Sequence, residues 1–293
     1  MIIVLLKWIE LNLKITEMNL KKTILAVFIL FFSLYGYSQK LVEVWRTGPT
    51  MQTPESVYYD ADLDVIFVAN INENPSEKDG NGYITQLNPD GTVKEMKWVT
   101  GLSAPKGMAI FEGKLYVSDI DELVEIDISK KQIVKRYPAP ESIFLNDVAA
   151  CKNGNIFVSD TRTGKIHILE DGIFSVWMDN DELSDVNGLY TENGQLYIGS
   201  QKLQVADLKT KELKTLRSDC NGIDGLEKDN KDNFVFSNWA GRIYYLDGDQ
   251  LTKLWDSTAE KINTADVFFA KKLDLLLVPT FFDNQVVAYR IEK

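Results

Sequence analysis

Six positions recur at one phase of a period of about 40 residues: Glu55, Lys106, Asn146, Asn187, Asp224 and Ala265. Two carboxylates, two carboxamides and an ammonium converging on one narrow space are costly to bury unless something satisfies them. A divalent cation does so directly. Oxygen donors of this type suit the hard ions calcium, magnesium or manganese. Zinc more often recruits histidine or cysteine, and the one histidine, His167, falls off this phase. Lys106 has two readings. It binds a substrate carboxylate or stabilises an oxyanion, or it pairs with Glu55 or Asp224 and replaces the metal. The sequence offers no Ser-His-Asp set at this phase, no phosphate-binding glycine loop and no Cys/His metal spacing.

The elements that must position these residues are read from the same repeat. Apolar segments begin near Val57, Met108, Val148, Leu189, Leu226 and Val267. A second apolar run follows each within about a dozen residues, as in Leu115-Tyr116-Val117 and Ile156-Phe157-Val158. Turn signals such as Glu112-Gly113, Asp171-Gly172 and Asn193-Gly194 separate the runs. Asn-Gly and similar pairs supply the positive φ that tight hairpins need. Four short antiparallel strands per unit, repeated six times, predict an all-β, six-bladed β-propeller. Residues 40–46 alternate well and precede the first inner strand. They are expected to pair with the last blade, 263–293, and close the ring, which would otherwise leave open edges. Inner strands line the central channel, so the phased residues form a ring there.

An insertion, Asn72 to Gly82, follows the second strand of blade one and opens on the same mouth as the ring. It is either a lid or a solvated excursion. Asp119, Asp160 and Asn238 follow second strands near that mouth and read as turn-capping residues. Trp98, Trp177 and Trp255 recur on outer strands and read as packing between blades.

Several segments resemble the senescence marker protein (regucalcin) and gluconolactonase family of six-bladed propellers. Glu55-Ser56-Val57-Tyr58 is similar to that family's "ESPVW" motif, shortened by one residue. Phe144-Leu145-Asn146-Asp147 is similar to "RFND", Val186-Asn187-Gly188-Leu189 to "PNGL", and Ile223-Asp224-Gly225-Leu226 to "PDGM". Trp239-Ala240-Gly241-Arg242-Ile243 is similar to "NGGRV", and the resemblance spans about residues 50–290. It implies that Glu55, Asn187 and Asp224 hold a divalent ion, calcium first, with magnesium, manganese and zinc as alternatives. It implies that Asp224 is also the general base and that Asn146 faces the substrate. Phe144 stands where the family motif has arginine, so a hydrogen-bonding contact to substrate is lost. With Lys106 as a catalytic and substrate-binding residue, the set reads as a metal-dependent hydrolase of lactonase or esterase type acting on a small molecule. The alternative is a non-catalytic propeller, similar to NHL-repeat modules, that binds a protein or glycan.

The bulk numbers bound the partners. The 293 residues carry a net charge of −11, and residues 1–38, with four lysines and two glutamates, leave −13 on the remainder. That disfavours nucleic acid and anionic membranes. Met18 to Lys22 is a short basic segment, Thr23 to Tyr35 is apolar, and Gly36-Tyr37-Ser38 is a small-x-small pattern. This predicts a secretory signal within 1–38, preceded by an upstream extension, and a single propeller domain over 39–293. The product is expected to be secreted or periplasmic, monomeric and without stable membrane insertion. Cys151 and Cys220 fall at opposite ends of inner strands in non-adjacent units, so two free thiols are expected.

Overall fold

The turn pairs that punctuate the sequence are where the chain reverses. Glu112 and Gly113 lie at φ 46° and 72°, Asp171 and Gly172 at 50° and 77°, and Asn193 and Gly194 at 51° and 78°. Two successive positive φ values match the right-handed twist of the strands on either side. The computed structural model describes residues 39–220 and 222–292, together with part of 1–22. The apolar run from Thr23 and the pattern ending at Ser38 lie outside the described residues. Among the described residues no helix is long and apolar enough to cross a membrane.

Residues 40–292 form one compact unit of six four-stranded antiparallel sheets. The inner strands are Pro54–Asp60, Pro105–Phe111, Leu145–Ala150, Leu189–Glu192, Leu226–Lys228 and Phe268–Ala270. Each pairs with the second apolar run of its unit, for example Met108 with Val117 and Val148 with Val158. The all-β six-bladed propeller read from the repeats is the fold observed. The ring closes as the pattern required. Lys40–Arg46 pairs with Val286–Glu292, with Leu41 opposite Ile291 and Trp45 opposite Ala288, and becomes the outermost strand of blade six.

The core lies between blades. Trp98 sits 4.8 Å from the Phe67 ring and packs in one cluster with Met108 and Leu115 of the next blade. Trp177 meets Phe157 at 5.0 Å and reaches Leu189 and Leu196 of blade four. Trp255 lies 5.6 Å from Tyr289 and joins the cluster that links blades five and six. Each large ring thus fills the wedge between two twisted sheets, which fixes how closely the inner strands converge. Both cysteines are free thiols. Burial pushes Cys220 up to about 11, so it is an inert core thiol at neutral pH.

Candidate functional site

The ring forms. Glu55, Lys106, Asn146 and Asp224 are all buried, and Asn187 is half-buried. Together they make the polar floor of one cavity of about 420 Å³. Ala265, the sixth ring position, is fully buried in an apolar collar with Ile71, Ala104 and Phe281.

Hydrogen bonding at the floor is incomplete. Asn187 Nδ2 donates to Asp224 Oδ1 at 2.8 Å, from blade four to blade five. That bond turns the amide so that Asn187 Oδ1 is buried with no donor. Glu55 Oε2 is likewise buried with no donor. Two orphaned acceptors beside the Asp224 carboxylate cost free energy until a donor or a cation meets them. Burial, then Asp224 and Asp266, hold the Glu55 carboxyl well above the usual carboxylate range, while Lys106 opposes that rise. Asp224 is pushed up to about 8 by burial and by Asp266, against the Asn187 hydrogen bond.

Lys106 is held without an ion pair among the described residues. Its Nζ donates to Ala104 O at 3.0 Å and lies 4.3 Å from the centre of the Phe144 ring. The direct pairing with Glu55 or Asp224 that the sequence allowed is not made. Burial pushes its ammonium down to about 8, with Glu55 and Asp119 opposing that shift. Asn146 Nδ2 donates to Thr161 Oγ1 at 3.1 Å, which fixes the plane of its amide.

The chemistry of this donor set fits a hard divalent ion. Glu55, Asn187 and Asp224 provide two carboxylates and one amide oxygen, two of the three with unmet acceptor atoms. The described residues contain no cluster of three His, Cys, Asp or Glu placed for a metal, so the set relies on the amide.

Comparison with solved structures places the fold. Virginiamycin B lyase from Staphylococcus aureus superposes with a TM-score of 0.62 at 12% identity, over 87% of this chain and 100% of that chain. A streptogramin B lyase gives 0.63 at 12% identity, over 87% and 98%. The extracellular domain of a putative hybrid two-component system from B. thetaiotaomicron gives 0.58 at 12%, over 87% of this chain and 40% of that chain. No family profile and no curated protein matches the sequence. These likenesses are to the propeller fold alone.

Four features of the site escaped the sequence reading. The first is a second tier. Asp147 and Asp266 are buried one position beyond the ring, although neighbouring strand residues normally face opposite ways. For Asp147 the cause is a slip of register in its own strand, between Leu145 and Val148, whereas Asp266 lies ahead of the strand Phe268–Ala270, in a parallel bridge to Ser56 of blade one. Register slips re-aim side chains. Asp147 accepts from Leu189 N at 2.5 Å and clasps blade four, and Asp266 Oδ2 accepts from Ser56 Oγ at 2.7 Å and joins blade six to blade one.

The second is a column of buried serines. Ser118 Oγ donates to Asn146 O, and Ser237 Oγ donates to Ala265 O at 2.7 Å. A hydroxyl on one blade thus pins the ring strand of the next. The repeated Ser-Asp and Ser-Asn pairs (Ser118-Asp119, Ser159-Asp160, Ser237-Asn238) were the available signal. Their acidic members do cap turns. Asp119 accepts from Ser103 N and Ala104 N at 2.9 and 2.7 Å, and Asp160 accepts from Ile143 N and Phe144 N at 3.1 Å. Asp119 therefore positions the carbonyl that holds Lys106.

The third is how the 72–82 insertion, which the sequence placed on this mouth, is tethered there. Pro75 lines the cavity. Positive φ at Asn72 and Glu73 turns the chain inward, and Asn72 Nδ2 closes the base onto Asn81 O at 3.1 Å. Lys78 bonds Asp121 at 2.5 Å and Arg162 bonds Ser76 at 3.2 Å, so the loop is tethered to blades two and three. The fourth is an apolar wall above the floor, made by Trp239, Phe281 and Phe282.

Proposed function

We propose that the propeller is an exported, divalent-metal-dependent hydrolase of lactonase or esterase type whose small-molecule substrate enters the mouth that carries the ring. The observation that carries this reading is the pair of orphaned buried acceptors, Glu55 Oε2 and Asn187 Oδ1, next to Asp224 at the cavity floor. A scaffold channel gains nothing from unmet polar atoms; a site that awaits a cation and a carbonyl does. Glu55, Asn187 and Asp224 would hold the ion, calcium first, which supplies Lewis acidity toward a carbonyl oxygen when bound.

The chain's own groups supply the rest. Asp224, at the edge of that set, would take a proton from an attacking water. Water adds to the carbonyl carbon, the ring or ester C–O bond breaks, and the proton passes to the leaving alkoxide. Lys106, held by Ala104 O and the Phe144 face, directs an ammonium to the developing oxyanion. Asn146, its amide fixed by Thr161, orients a substrate oxygen. A histidine-dependent step is not proposed. His167 is buried in blade three against Ser142 and Phe174, away from the cavity lining.

A second reading has one observation in its favour. Trp239 and Phe282 are 48% and 64% exposed at the mouth, which suits a non-catalytic propeller that binds a protein or glycan. Metal analysis of the purified full chain separates the two, followed by a lactone and ester panel with and without chelator. A stoichiometric ion and chelator-sensitive turnover support the hydrolase. No ion and no turnover support the scaffold.

A further inference from the structure

The cavity is divided by chemistry. The five polar lining groups form the floor, whereas Trp239 of blade five and Phe281 and Phe282 of blade six form a wall of three aromatic rings. Ala265 extends that division into the ring itself, because the one small apolar ring residue lies in the collar with Phe281. The rings stand edge to face: Phe281 and Phe282 at 4.7 Å and 87°, Trp239 and Phe281 at 5.7 Å and 79°.

The wall is built, not incidental. Phe281 has φ 50°, a left-handed conformation that a bulky side chain rarely adopts. Trp239 is anchored through its carbonyl, which accepts from Asn263 Nδ2 at 2.8 Å. The turn beyond it needs Gly241, at φ 107°, where a Cβ would lie 2.4 Å from Ile262 O. Across the cavity Phe144 presents a ring where the resembling family has arginine, and Lys106 occupies one side of that ring. Two exposed aromatic side chains at a concave mouth mark a surface that takes an apolar ligand.

We infer that the substrate of this site is a lactone or ester bearing an aryl substituent, rather than a polyhydroxylated sugar lactone. The aryl group packs on Trp239, Phe281 and Phe282 while the carbonyl reaches the polar floor. A sugar lactone would turn its hydroxyls toward that wall, which has no carboxylate, amide or hydroxyl to receive them. The assignment rests on the hydrolase reading of the same site, and its test has one arm that needs no turnover.

Binding of chroman, an aryl ring ether without a carbonyl, is compared by calorimetry with binding of the polyol ring ether 1,5-anhydroglucitol. The proteins are the full chain and its Phe282→Ala and Trp239→Ala variants. Phe282 is so exposed that its truncation leaves the fold intact. Chroman is expected to bind, to lose about tenfold in affinity in each variant, the equivalent of ~1.4 kcal/mol, and to bind far better than the polyol. Equal or tighter polyol binding, or chroman binding indifferent to both substitutions, overturns the aryl site. In the turnover arm, γ-phenyl-γ-butyrolactone is expected to be hydrolysed at least tenfold faster, in kcat/KM, than glucono-δ-lactone. A preference for the sugar lactone overturns the aryl site and leaves the hydrolase standing. Chroman binding through Phe282 without hydrolysis of either lactone supports the aryl site and removes the hydrolase.

Discussion

Asn187 donates its side-chain N–H to Asp224 at 2.8 Å across the boundary of blades four and five. One bond does two things. It fixes the rotamer of the carboxylate, and it leaves Asn187 Oδ1 facing the cavity with no partner. The consequence for metal binding is direct. Asp224→Ala removes a charged donor and releases the Asn187 amide, so calcium affinity should fall at least tenfold. Asn187→Leu, which removes a neutral donor and spares the charge, should fall less. Calorimetry on both variants checks the order; unchanged affinity in Asp224→Ala would remove Asp224 from the metal set.

The fold was legible because a propeller repeats its logic six times, and six copies of a weak strand-turn-strand pattern reinforce one another. The floor residues were legible for the same reason: one column at one phase. Asp147 and Asp266 were not, because strand alternation predicts that residues adjacent to ring positions point away. At Asp147 the register slip between Leu145 and Val148 undoes that alternation, and Asp266 lies just ahead of its strand. The aromatic wall was hidden for another reason. Trp239 and Phe282 sit in loops of two different blades, and only the packing of blade five against blade six brings them within 6.2 Å of each other.

Lys106 places an ammonium at the same floor as the proposed ion, so its two effects should separate. In Lys106→Met the repulsion of a cation disappears, and at low salt calcium should bind several-fold tighter. Turnover should fall at the same time, by about 10²-fold or more, through loss of an oxyanion donor. Calorimetry and kcat measured on the same preparation read the two effects. Weaker calcium binding in this variant would mean that Lys106 organises the floor rather than opposing the ion.

In three blades a glycine immediately follows the ring residue: Gly107, Gly188 and Gly225. At Gly225 a Cβ would lie 2.2 Å from Val267 N and 2.6 Å from Asp266 Oδ1, both on the neighbouring blade. Backbone cannot yield as a side chain can. Gly225→Ala should cost ~2–4 kcal/mol of stability, in line with overpacking and strain elsewhere. Gly194→Ala is the control, since its Cβ meets nothing within 4 Å and only its φ of 78° resists. Urea unfolding of the two variants should show the larger loss at Gly225.

His167 gives a stability slope of known sign. Burial lowers its pKa from the ordinary 6.5; Lys165 acts the same way and Asp160 opposes them. The folded protein therefore holds the neutral imidazole, with Ser142 Oγ 3.1 Å from Nε2. Above about 6.5 neither state binds the proton and this contribution is complete. As the pH falls below that value the unfolded chain binds the proton first, and stability is lost down to the lowered folded value. Buried carboxyls raised in the folded state, such as Asp266 at about 7, slope the other way. The informative quantity is thus the difference between the chain and His167→Asn. From pH 7.5 to 5 the thermal midpoint of the variant should fall less than that of the parent. Parallel curves would mean that His167 keeps its ordinary pKa.

Ring closure supplies the last prediction. Among the described residues, Lys40–Arg46 is the only partner of Val286–Glu292 on its outer side. Leu41 packs against the cluster that holds Val287 and Tyr289, and Trp45 against the one that holds Ala288. Trp45 also covers Gly91 so closely that a Cβ there would lie 2.4 Å from its ring. A chain that begins at Thr47 loses these contacts and exposes Val-Val-Ala-Tyr-Arg-Ile-Glu as a bare edge. Unpaired N–H and C=O groups beside β-branched side chains recruit strands from other molecules. The shortened chain should therefore unfold at lower urea and aggregate on mild heating, seen by light scattering. A double substitution that keeps the strand but removes its packing, Leu41→Ser with Trp45→Ser, should lower the urea midpoint with much less aggregation. Aggregation of both to the same degree would place the protection in side-chain packing rather than in the closing strand's hydrogen bonds.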